Sequence, residues 1–254
     1  MTEQWRMLQT GYANAFSNMA IDKAILVANS QELVPPTVRF YGWSPSAISI
    51  GYFQSLMEEV DIHACDRAGV DYVRRITGGG AVFHEKELTY SIVIPESHPE
   101  IPKNILNSYG RICGAVIKGL SQLGIESTYA PINDILADGK KISGNAQTRK
   151  HGTVLQHGTV LMDVDVDKMF SLLKVPNEKI KDKLITDVKQ RVTSLSHCLG
   201  NEVSFQKVAV AMKAGFQEEF QIELRPGKLT KNEQILAKQF EEETFSTKDW
   251  NQRR

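Results

Sequence analysis

The chain has 254 residues, and its 30 Lys and Arg residues balance 30 Asp and Glu residues, so the formal net charge is +0. This balance excludes a nucleic-acid binder that relies on overall positive charge. Hydrophobic residues make up 41%, enough for a globular core. No apolar run approaches the roughly 20 residues of a membrane span, and no signal-peptide pattern opens the sequence. The three cysteines are far apart and form no CxxC pair. We therefore expect a protein of the reducing cytoplasm with no nucleic-acid or membrane partner.

The N-terminal half mixes helix and strand signals. Apolar residues at helical spacing alternate here with short runs of β-branched and aromatic residues. These patterns predict a helix from about Asn14 to Ser30, two strands joined by a turn at Ser44-Pro45, a short helix from Val60 to Ala68, and strands within 71–75 and 81–95.

The C-terminal half predicts longer helices. The elements are a helix from Ile105 to Leu123, a hairpin turn at Asp138-Gly139, a strand within 152–165, a helix from Phe205 to Phe220, and a capped helix opening at Thr230 with Glu233 three residues later. Because no regular βαβ rhythm appears, we expect an α+β fold rather than a doubly wound one. We expect one domain over residues 1–254, with about 204–254 forming a small helical lobe and no C-terminal accessory domain.

Three consecutive glycines follow a predicted strand and two arginines in the segment RRITGGGA, which begins at Arg74. Glycine runs are costly unless the backbone needs unusual dihedrals or must approach a ligand closely. The segment indicates a loop whose amides bind an anion, although a flexible turn with solvated arginines explains it equally well. Its spacing fits neither a P-loop nor a dinucleotide-binding fingerprint.

A second polar segment contains Asn133, Asp134 and Lys141 close to a hairpin turn. Such a lysine can neutralise a phosphoryl group or polarise a carbonyl, and Asp134 is a candidate magnesium ligand. Without other support, a solvated polar hairpin is the favoured interpretation. A lone strand histidine such as His157 is more often structural than catalytic, and Cys113 falls on the apolar stripe of a helix.

Taken together, the segments RFYGW, IGYFQ, RRITGGGAVFH, KKISGNAQTR and LQHGTVLMDVD resemble the lipoate–protein ligase family, within the wider biotin ligase and octanoyltransferase superfamily. They span nearly the whole chain in the family's order. The resemblance implies an α+β domain with a central mixed β-sheet and flanking helices.

The resemblance also implies residue roles. It places ATP or the adenylate against Arg75, Gly80, Ala81, Val82, Phe83, Asn133, Asp134 and Lys141, and lipoate against Gly78, Gly79, His84, Lys141 and His157. Lys141 would be the catalytic residue, in contact with both the acyl carboxylate and the α-phosphate. Asp134 would belong to the acidic segment that faces a Mg²⁺ ion, as a candidate ligand.

The implied chemistry is ATP-dependent. Lipoate and ATP would form lipoyl-AMP, and the lipoyl group would pass to a lysine of lipoyl domains, those of 2-oxoacid dehydrogenases and of glycine cleavage H protein. Single-chain ligases of the family carry an added C-terminal domain, so we expect a separate small accessory subunit here.

A rival function is octanoyl or lipoyl transfer from acyl carrier protein or another lipoyl protein, through a cysteine thioester. Several stretches, including QTRKHGTVLQHG, look more like one transferase branch. The resemblance places the transferase cysteine either before the Lys141 hairpin or after the His157 strand, and this chain has no cysteine in either place. We therefore predict an ATP-dependent ligase. A non-catalytic protein that binds lipoyl domains is the third alternative.

Overall fold

The computed structural model describes residues 2–175 and 177–253, without the side chains of residues 178 and 179. The described strands are β1 (Glu3–Ala13), β2 (Thr37–Trp43), β3 (Ala47–Ile50), β4 (Asp71–Arg74), β5 (Val82–His84), β6 (Glu87–Pro95), β7 (Thr128–Ala130), β8 (Asp134–Ala137), β9 (Lys140–Lys150), β10 (Thr153–Leu161) and β11 (Ile222–Pro226). The described α-helices are α1 (Ala15–Ser30), α2 (Leu56–Glu59), α3 (Ile62–Ala68), α4 (Ile105–Gln122), α5 (Val166–Leu172), α6 (Glu178–Arg191), α7 (Leu195–Leu199), α8 (Phe205–Phe220), α9 (Lys231–Phe240) and α10 (Lys248–Gln252). A π-helical turn, Glu241–Phe245, follows α9.

Two sheets organise the fold. The large sheet has the strand order β11-β1-β2-β6-β10-β9-β8-β7, with β1 parallel to both of its neighbours and the other pairs antiparallel. The small sheet has the order β4-β3-β5, with β3 parallel to β4 and antiparallel to β5. The predicted α+β fold with a central mixed sheet and flanking helices is confirmed.

Helices cover both faces of the large sheet. On one face, α4 and α8 pack against each other and against the sheet, where Ile112, Val116 and Phe216 are fully buried. On the other face, α1 packs with α9, and its Ile25 and Leu26 lie in a core shared with Tyr41 of β2 and Val73 of the small sheet. The second core therefore contains residues of both sheets.

Local signals in the sequence located most of the long elements. The predicted helices within 14–30, 105–123 and 205–220 correspond to α1, α4 and α8. The capping box is present, since Thr230 accepts from the Glu233 amide while the Glu233 carboxylate accepts from the Thr230 amide. Asp138 and Gly139 both have positive φ (49° and 72°), as their hairpin turn requires.

The predicted turn at Ser44-Pro45 joins strands that belong to different sheets. The strands on either side of Ser44-Pro45 do not pair with each other, because β2 lies between β1 and β6 in the large sheet while β3 lies in the small one. Both edges of β2 are already occupied, so the turn carries the chain from one sheet to the other. Strand β11 pairs with β1 at the edge of the large sheet, and α8 packs on α4. The helical lobe of about 204–254 stays a prediction. The single-domain boundary itself stays a prediction.

Within residues 2–175 and 177–253, no helix combines the length and the apolar composition that crossing a membrane requires.

Candidate active site

A cavity of about 320 Å³ lies where the two sheets meet. Its walls come from β2, β3, β5, β9 and β10, from the glycine loop (residues 78–80), and from the C-terminal part of α6. Apolar side chains dominate one part of the lining, among them Trp43, Leu161 and Val188. Lys141, Asn133 and Asn145 give another part a polar character. This combination suits a ligand with an apolar chain and a polar reacting group.

The glycine loop is shaped by Arg75. One terminal nitrogen of its guanidinium donates to the carbonyls of Gly78 (2.7 Å) and Gly80 (2.8 Å), and the other donates to the carbonyl of Ser49 at 3.0 Å. Burial lowers the pKa of Arg75 to about 10, which leaves the guanidinium charged at neutral pH. Arg75 therefore holds the loop and places a buried positive charge at the cavity wall.

Gly51 and Gly79 must both be glycine for the loop to pack. Gly79 has a φ of 101°, which L side chains rarely adopt, and a Cβ there would lie 2.7 Å from the Arg75 guanidinium. A Cβ on Gly51 would lie 2.0 Å from the Gly79 carbonyl oxygen. The loop and the end of β3 thus approach more closely than any side chain permits.

Arg74 anchors a distant segment of the chain to the same strand. Its side chain is fully buried and donates to carbonyls in two segments, those of Tyr52 (2.9 Å) in the β3–α2 loop and of Asn251 (2.9 Å) in α10. The Trp250 indole donates in return to the Arg74 carbonyl at 2.8 Å. The segment around α10 is therefore held against the strand that leads into the glycine loop.

The position of the Lys141 side chain depends on an ion pair with Asp134 and on the space that Gly144 leaves beside it. Its Nζ lies 2.7 Å from Asp134 Oδ1, and both side chains are partly exposed. A Cβ on Gly144 would lie 2.7 Å from Lys141 Cε and 2.8 Å from Nζ. Gly144 therefore opens the space through which the lysine crosses the strand toward the cavity.

Two asparagines tie the Lys141 hairpin together. Asn145 Nδ2 donates to the Asn133 carbonyl at 2.9 Å, and Asn133 Nδ2 donates to the Asn145 carbonyl. The Tyr90 hydroxyl donates to Asn145 Oδ1 at 2.7 Å. A Cβ on Gly158 would collide with that Asn145 amide at 1.9 Å. The polar part of the cavity is thus fixed from three strands.

Two buried histidines line the cavity. His157 Nε2 lies 2.7 Å from Thr77 Oγ1, and its Nδ1 lies 3.4 Å from Asp22. Burial lowers the pKa of His157 below its ordinary value, although Asp22 acts in the opposite direction, so this imidazole is neutral near pH 7. His84 contacts Ser49 and Glu87, each at 2.7 Å, and stacks on Trp43.

The structure brings most of the predicted site residues together. The cavity lining includes Arg75, Gly79, Gly80, Ala81, Val82, Phe83, His84, Asn133, Lys141 and His157. Gly78 and Asp134 do not line the cavity but contact residues that do. Gly78 accepts a hydrogen bond from Arg75, and Asp134 forms an ion pair with Lys141. The sequence analysis did not identify four other lining residues, which are Ser49, Trp43, Val188 of α6 and Val192 directly after that helix. Trp43 ends the RFYGW segment and Ser49 directly precedes IGYFQ, whereas the strongly polar sequence of α6 gave no indication of a cavity wall.

The cysteines, all within the described ranges, lie outside the cavity lining. Cys65 and Cys113 are core residues, and burial raises their pKa values to about 11 and about 12. Cys198 is partly buried, 3.6 Å from Thr193 Oγ1. No thiolate is therefore available at this site.

Among the described residues, no group of three or more His, Cys, Asp or Glu side chains is arranged to hold a metal ion. Asp134, the candidate magnesium ligand, pairs with Lys141 instead.

Comparison with known proteins gives a family and full-length relatives. Residues 14–217 match the family described as Lipoyl protein ligase A/B catalytic domain. Octanoyltransferase LipM of Geobacillus kaustophilus is 36% identical over 275 positions, covering 99% of each chain. Octanoyltransferase LipM of Symbiobacterium thermophilum is 37% identical and covers all of both chains. A bi-partite lipoate protein ligase of Thermoplasma acidophilum superposes with a TM-score of 0.89 at 30% identity, covering 98% of this chain and 96% of that one.

These relatives correct the predicted chemistry. The full-length curated relatives are named octanoyltransferases, so the prediction of an ATP-dependent, adenylate-forming ligase is wrong, and so are ATP, free lipoate and Mg²⁺ as its substrates and cofactor. The error came from the missing cysteine. A missing thiol at two expected positions excludes a thiol nucleophile there, but it does not exclude acyl transfer. The alignment covers more positions than this chain has residues, so the relatives carry residues that this chain lacks.

Proposed function

Because the chain belongs to the lipoyl protein ligase A/B catalytic domain family, we propose that it is an octanoyltransferase. It moves an octanoyl group from the thioester of an acyl carrier protein to a lysine of a lipoyl domain in the cytoplasm. The acceptors are the lipoyl domains of 2-oxoacid dehydrogenases and glycine cleavage H protein. ATP takes no part in this reaction, since the thioester already activates the acyl group.

The observation that carries the proposal is the apolar cavity with Lys141 in its lining. Its volume of about 320 Å³ lies within the range of sites that take small-molecule ligands, and its mainly apolar lining suits an eight-carbon acyl chain. The side chains of Trp43, Leu161 and Val188 provide the apolar wall for the hydrocarbon part of the octanoyl group. The acyl carbonyl then lies toward the polar part.

Lys141 is the group that acts on the carbonyl. Attack on a thioester develops negative charge on the carbonyl oxygen, and a fixed cation stabilises that charge without reorganisation. Asp134 orients the lysine through the 2.7 Å ion pair, and Gly144 leaves it room. The glycine loop, Asn133 and His157 complete the walls around the acyl group.

The test is transfer by the isolated chain. Octanoyl-acyl carrier protein and an apo lipoyl domain are mixed with the enzyme without ATP, and the mass of the lipoyl domain is followed. We expect the mass to rise by one octanoyl group. No transfer by the isolated chain would refute the proposal. Parallel donors, lipoyl-H protein and free octanoate with ATP, separate lipoyl relay and ligation from octanoyl transfer.

Lys141→Ala is expected to lower kcat/KM about 100-fold or more, because it removes a cation that acts on the transition state. Lys140→Ala is the matched control, since Lys140 begins the same strand β9 but does not line the cavity. Equal activity of the two variants would show that Lys141 does not have this role.

A further inference from the structure

The cavity wall contains a chain of hydrogen bonds that joins a serine, a histidine and a carboxylate. Ser49 Oγ lies 2.7 Å from His84 Nε2, and His84 Nδ1 lies 2.7 Å from Glu87 Oε1. All three residues are buried, with exposures of 1%, 5% and 2%. Ser49 and His84 both line the cavity, so the hydroxyl end of the chain meets the space available to the acyl group.

The hydrogen bonds run in one direction. An ionised carboxylate only accepts, so His84 Nδ1 carries the hydrogen that Glu87 accepts, and Nε2 is left to accept from the Ser49 hydroxyl. Thr89 Oγ1 donates to the same Glu87 oxygen at 2.6 Å, and the Trp43 indole donates to Thr89 at 2.8 Å. This arrangement leaves His84 positioned to take a proton from Ser49.

The His84 ring is also fixed from its face. It stacks on Trp43 with ring centroids 4.0 Å apart and an angle of 15° between the planes. A base held in one orientation against a hydroxyl, and oriented in turn by a third group, is the arrangement that activates a serine in hydrolases of unrelated fold.

A buried cation acts on the same oxygen. Arg75 Nη1 lies 3.1 Å from Ser49 Oγ and donates to it. A positive charge at this distance, out of water, stabilises the alkoxide that forms when Ser49 loses its proton. Ser49 therefore has both a proton acceptor and a charge that favours its anion.

A second series of hydrogen bonds, also built on a hydroxyl, a histidine and a carboxylate, lacks the short histidine–carboxylate contact and the cavity-lining hydroxyl of the Ser49 series. Thr77, His157 and Asp22 are also linked, but the distance from His157 to Asp22 is 3.4 Å and Thr77 does not line the cavity. Asp22 is shared with the guanidinium of Arg39 and the hydroxyl of Tyr41. The Asp22 network therefore stabilises the fold, whereas the hydrogen bonds of Ser49 lead to a residue that lines the cavity.

We propose that Ser49 is an acyl-accepting nucleophile, with His84 as its general base and Glu87 as the positioning residue that orients His84. The inference rests on the proposed acyl-transfer function. It supplies the nucleophile that no cysteine of the chain provides in the cavity.

The reaction has two balanced steps. In the first, the Ser49 proton passes to His84, Oγ bonds to the thioester carbonyl carbon, the C–S bond breaks, and the leaving thiolate takes the proton from His84. In the second, the acceptor lysine amine attacks the ester carbonyl, the C–O bond breaks, and a proton from the amine returns to Ser49 through His84. The products are a free thiol and an octanoyl amide.

The first test is acylation of the full chain by octanoyl-N-acetylcysteamine, a small thioester, without any acceptor. The expected product is one octanoyl adduct per chain, located by peptide mass mapping at Ser49. The adduct should resist neutral hydroxylamine, which removes thioesters. Ser49→Ala should lose the adduct, and should lower transfer to a lipoyl domain about 10⁶-fold, the scale on which removal of a triad nucleophile acts. Ser46→Ala, in the preceding turn, is the matched serine control and should keep both activities.

A second set of variants separates catalysis from folding. Ser49→Cys should restore an adduct that is now sensitive to hydroxylamine, because a thiol needs less help from a base. Glu87→Gln should slow acylation at saturating thioester in the serine enzyme and much less in the Ser49→Cys background. An equal loss in both backgrounds would mean that Glu87 only supports the structure.

The outcomes distinguish the two proposals. An adduct on a cysteine or on Lys141, an undiminished adduct in Ser49→Ala, or transfer to the lipoyl domain without any adduct would overturn the role of Ser49 alone. Acylation of Ser49 without any modification of a lipoyl domain would overturn the proposed function alone. Absence of both reactions would overturn both.

Discussion

A single added methyl group at Gly144 should disable Lys141 while the fold stays intact. The Cβ of Gly144→Ala would lie 2.7 Å from Lys141 Cε and 2.8 Å from Nζ. Carbon contacts are comfortable at about 3.5–4.0 Å, so the end of the lysine must move by about 1 Å. A displacement of that size at a reacting centre costs about 100-fold in rate. We therefore expect kcat/KM for octanoyl transfer to fall about 100-fold.

Stability should change little in the same variant. The clash involves the end of a flexible side chain, and Gly144 is not among the glycines with positive φ. We expect the free energy of unfolding to stay within about 1 kcal/mol of the parent value, measured by urea denaturation. Gly110→Ala is the control: a helix glycine whose Cβ would meet Tyr129 at an ordinary 3.5 Å, and which should keep full activity. If Gly144→Ala transferred octanoyl within twofold of the parent rate, the placement of Lys141 would not matter and the argument would be wrong.

Two further predictions concern the buried network behind the cavity. Asp22→Ala leaves the fully buried Arg39 without the carboxylate that lies 2.8 Å away, so the free energy of unfolding in urea should drop by about 3–5 kcal/mol. The exposed pair of Asp163 with Lys86 is the comparison, where Asp163→Ala should cost less than about 1 kcal/mol, and similar losses in the two variants would contradict the reasoning. Burial holds the pKa of His157 below its ordinary value of 6.5. The unfolded chain therefore binds more protons than the folded chain near pH 6.5. The stability that comes from neutral His157 is complete above pH 6.5 and is lost as the pH falls through the pKa of the folded state. Urea midpoints at a series of pH values should show this decline in the parent and a weaker one in His157→Gln, and parallel curves would refute it.

The sequence predicted elements whose signals are local. Helix α8 is capped by Ser204, whose side chain accepts from the Lys207 amide, and its apolar stripe continues to Phe220. Caps and periodicity of this kind are contained in a few neighbouring residues, so a single sequence reveals them. The partition of β2 and β3 between two sheets depends on which strands occupy their edges, and nothing within 37–50 encodes that.

The candidate site shows the same limit. The glycine loop and the Lys141 hairpin were visible because each is a compact motif. Ser49 and His84 are 35 residues apart in sequence, and only the small sheet, where β3 pairs with β5, brings them to 2.7 Å. The mistaken ligase prediction has a related cause, because it depended on cysteines at two motif positions, and motifs do not reveal groups that folding brings together from distant parts of the sequence.

The anchoring of Arg74 sets a condition on how the active site is made. This guanidinium donates to the carbonyls of Trp250 and Asn251, which are synthesised more than 170 residues after it. Until they arrive, Arg74, which the folded protein buries completely, lacks these acceptors. It directly precedes Arg75, which holds the glycine loop. A fragment limited to residues 14–217, the part that matches the family, would keep every cavity residue and still leave the Arg74 guanidinium only partly satisfied. A ribosome-bound chain is in the same position, so the cavity should reach its working shape only after α10 has emerged and docked.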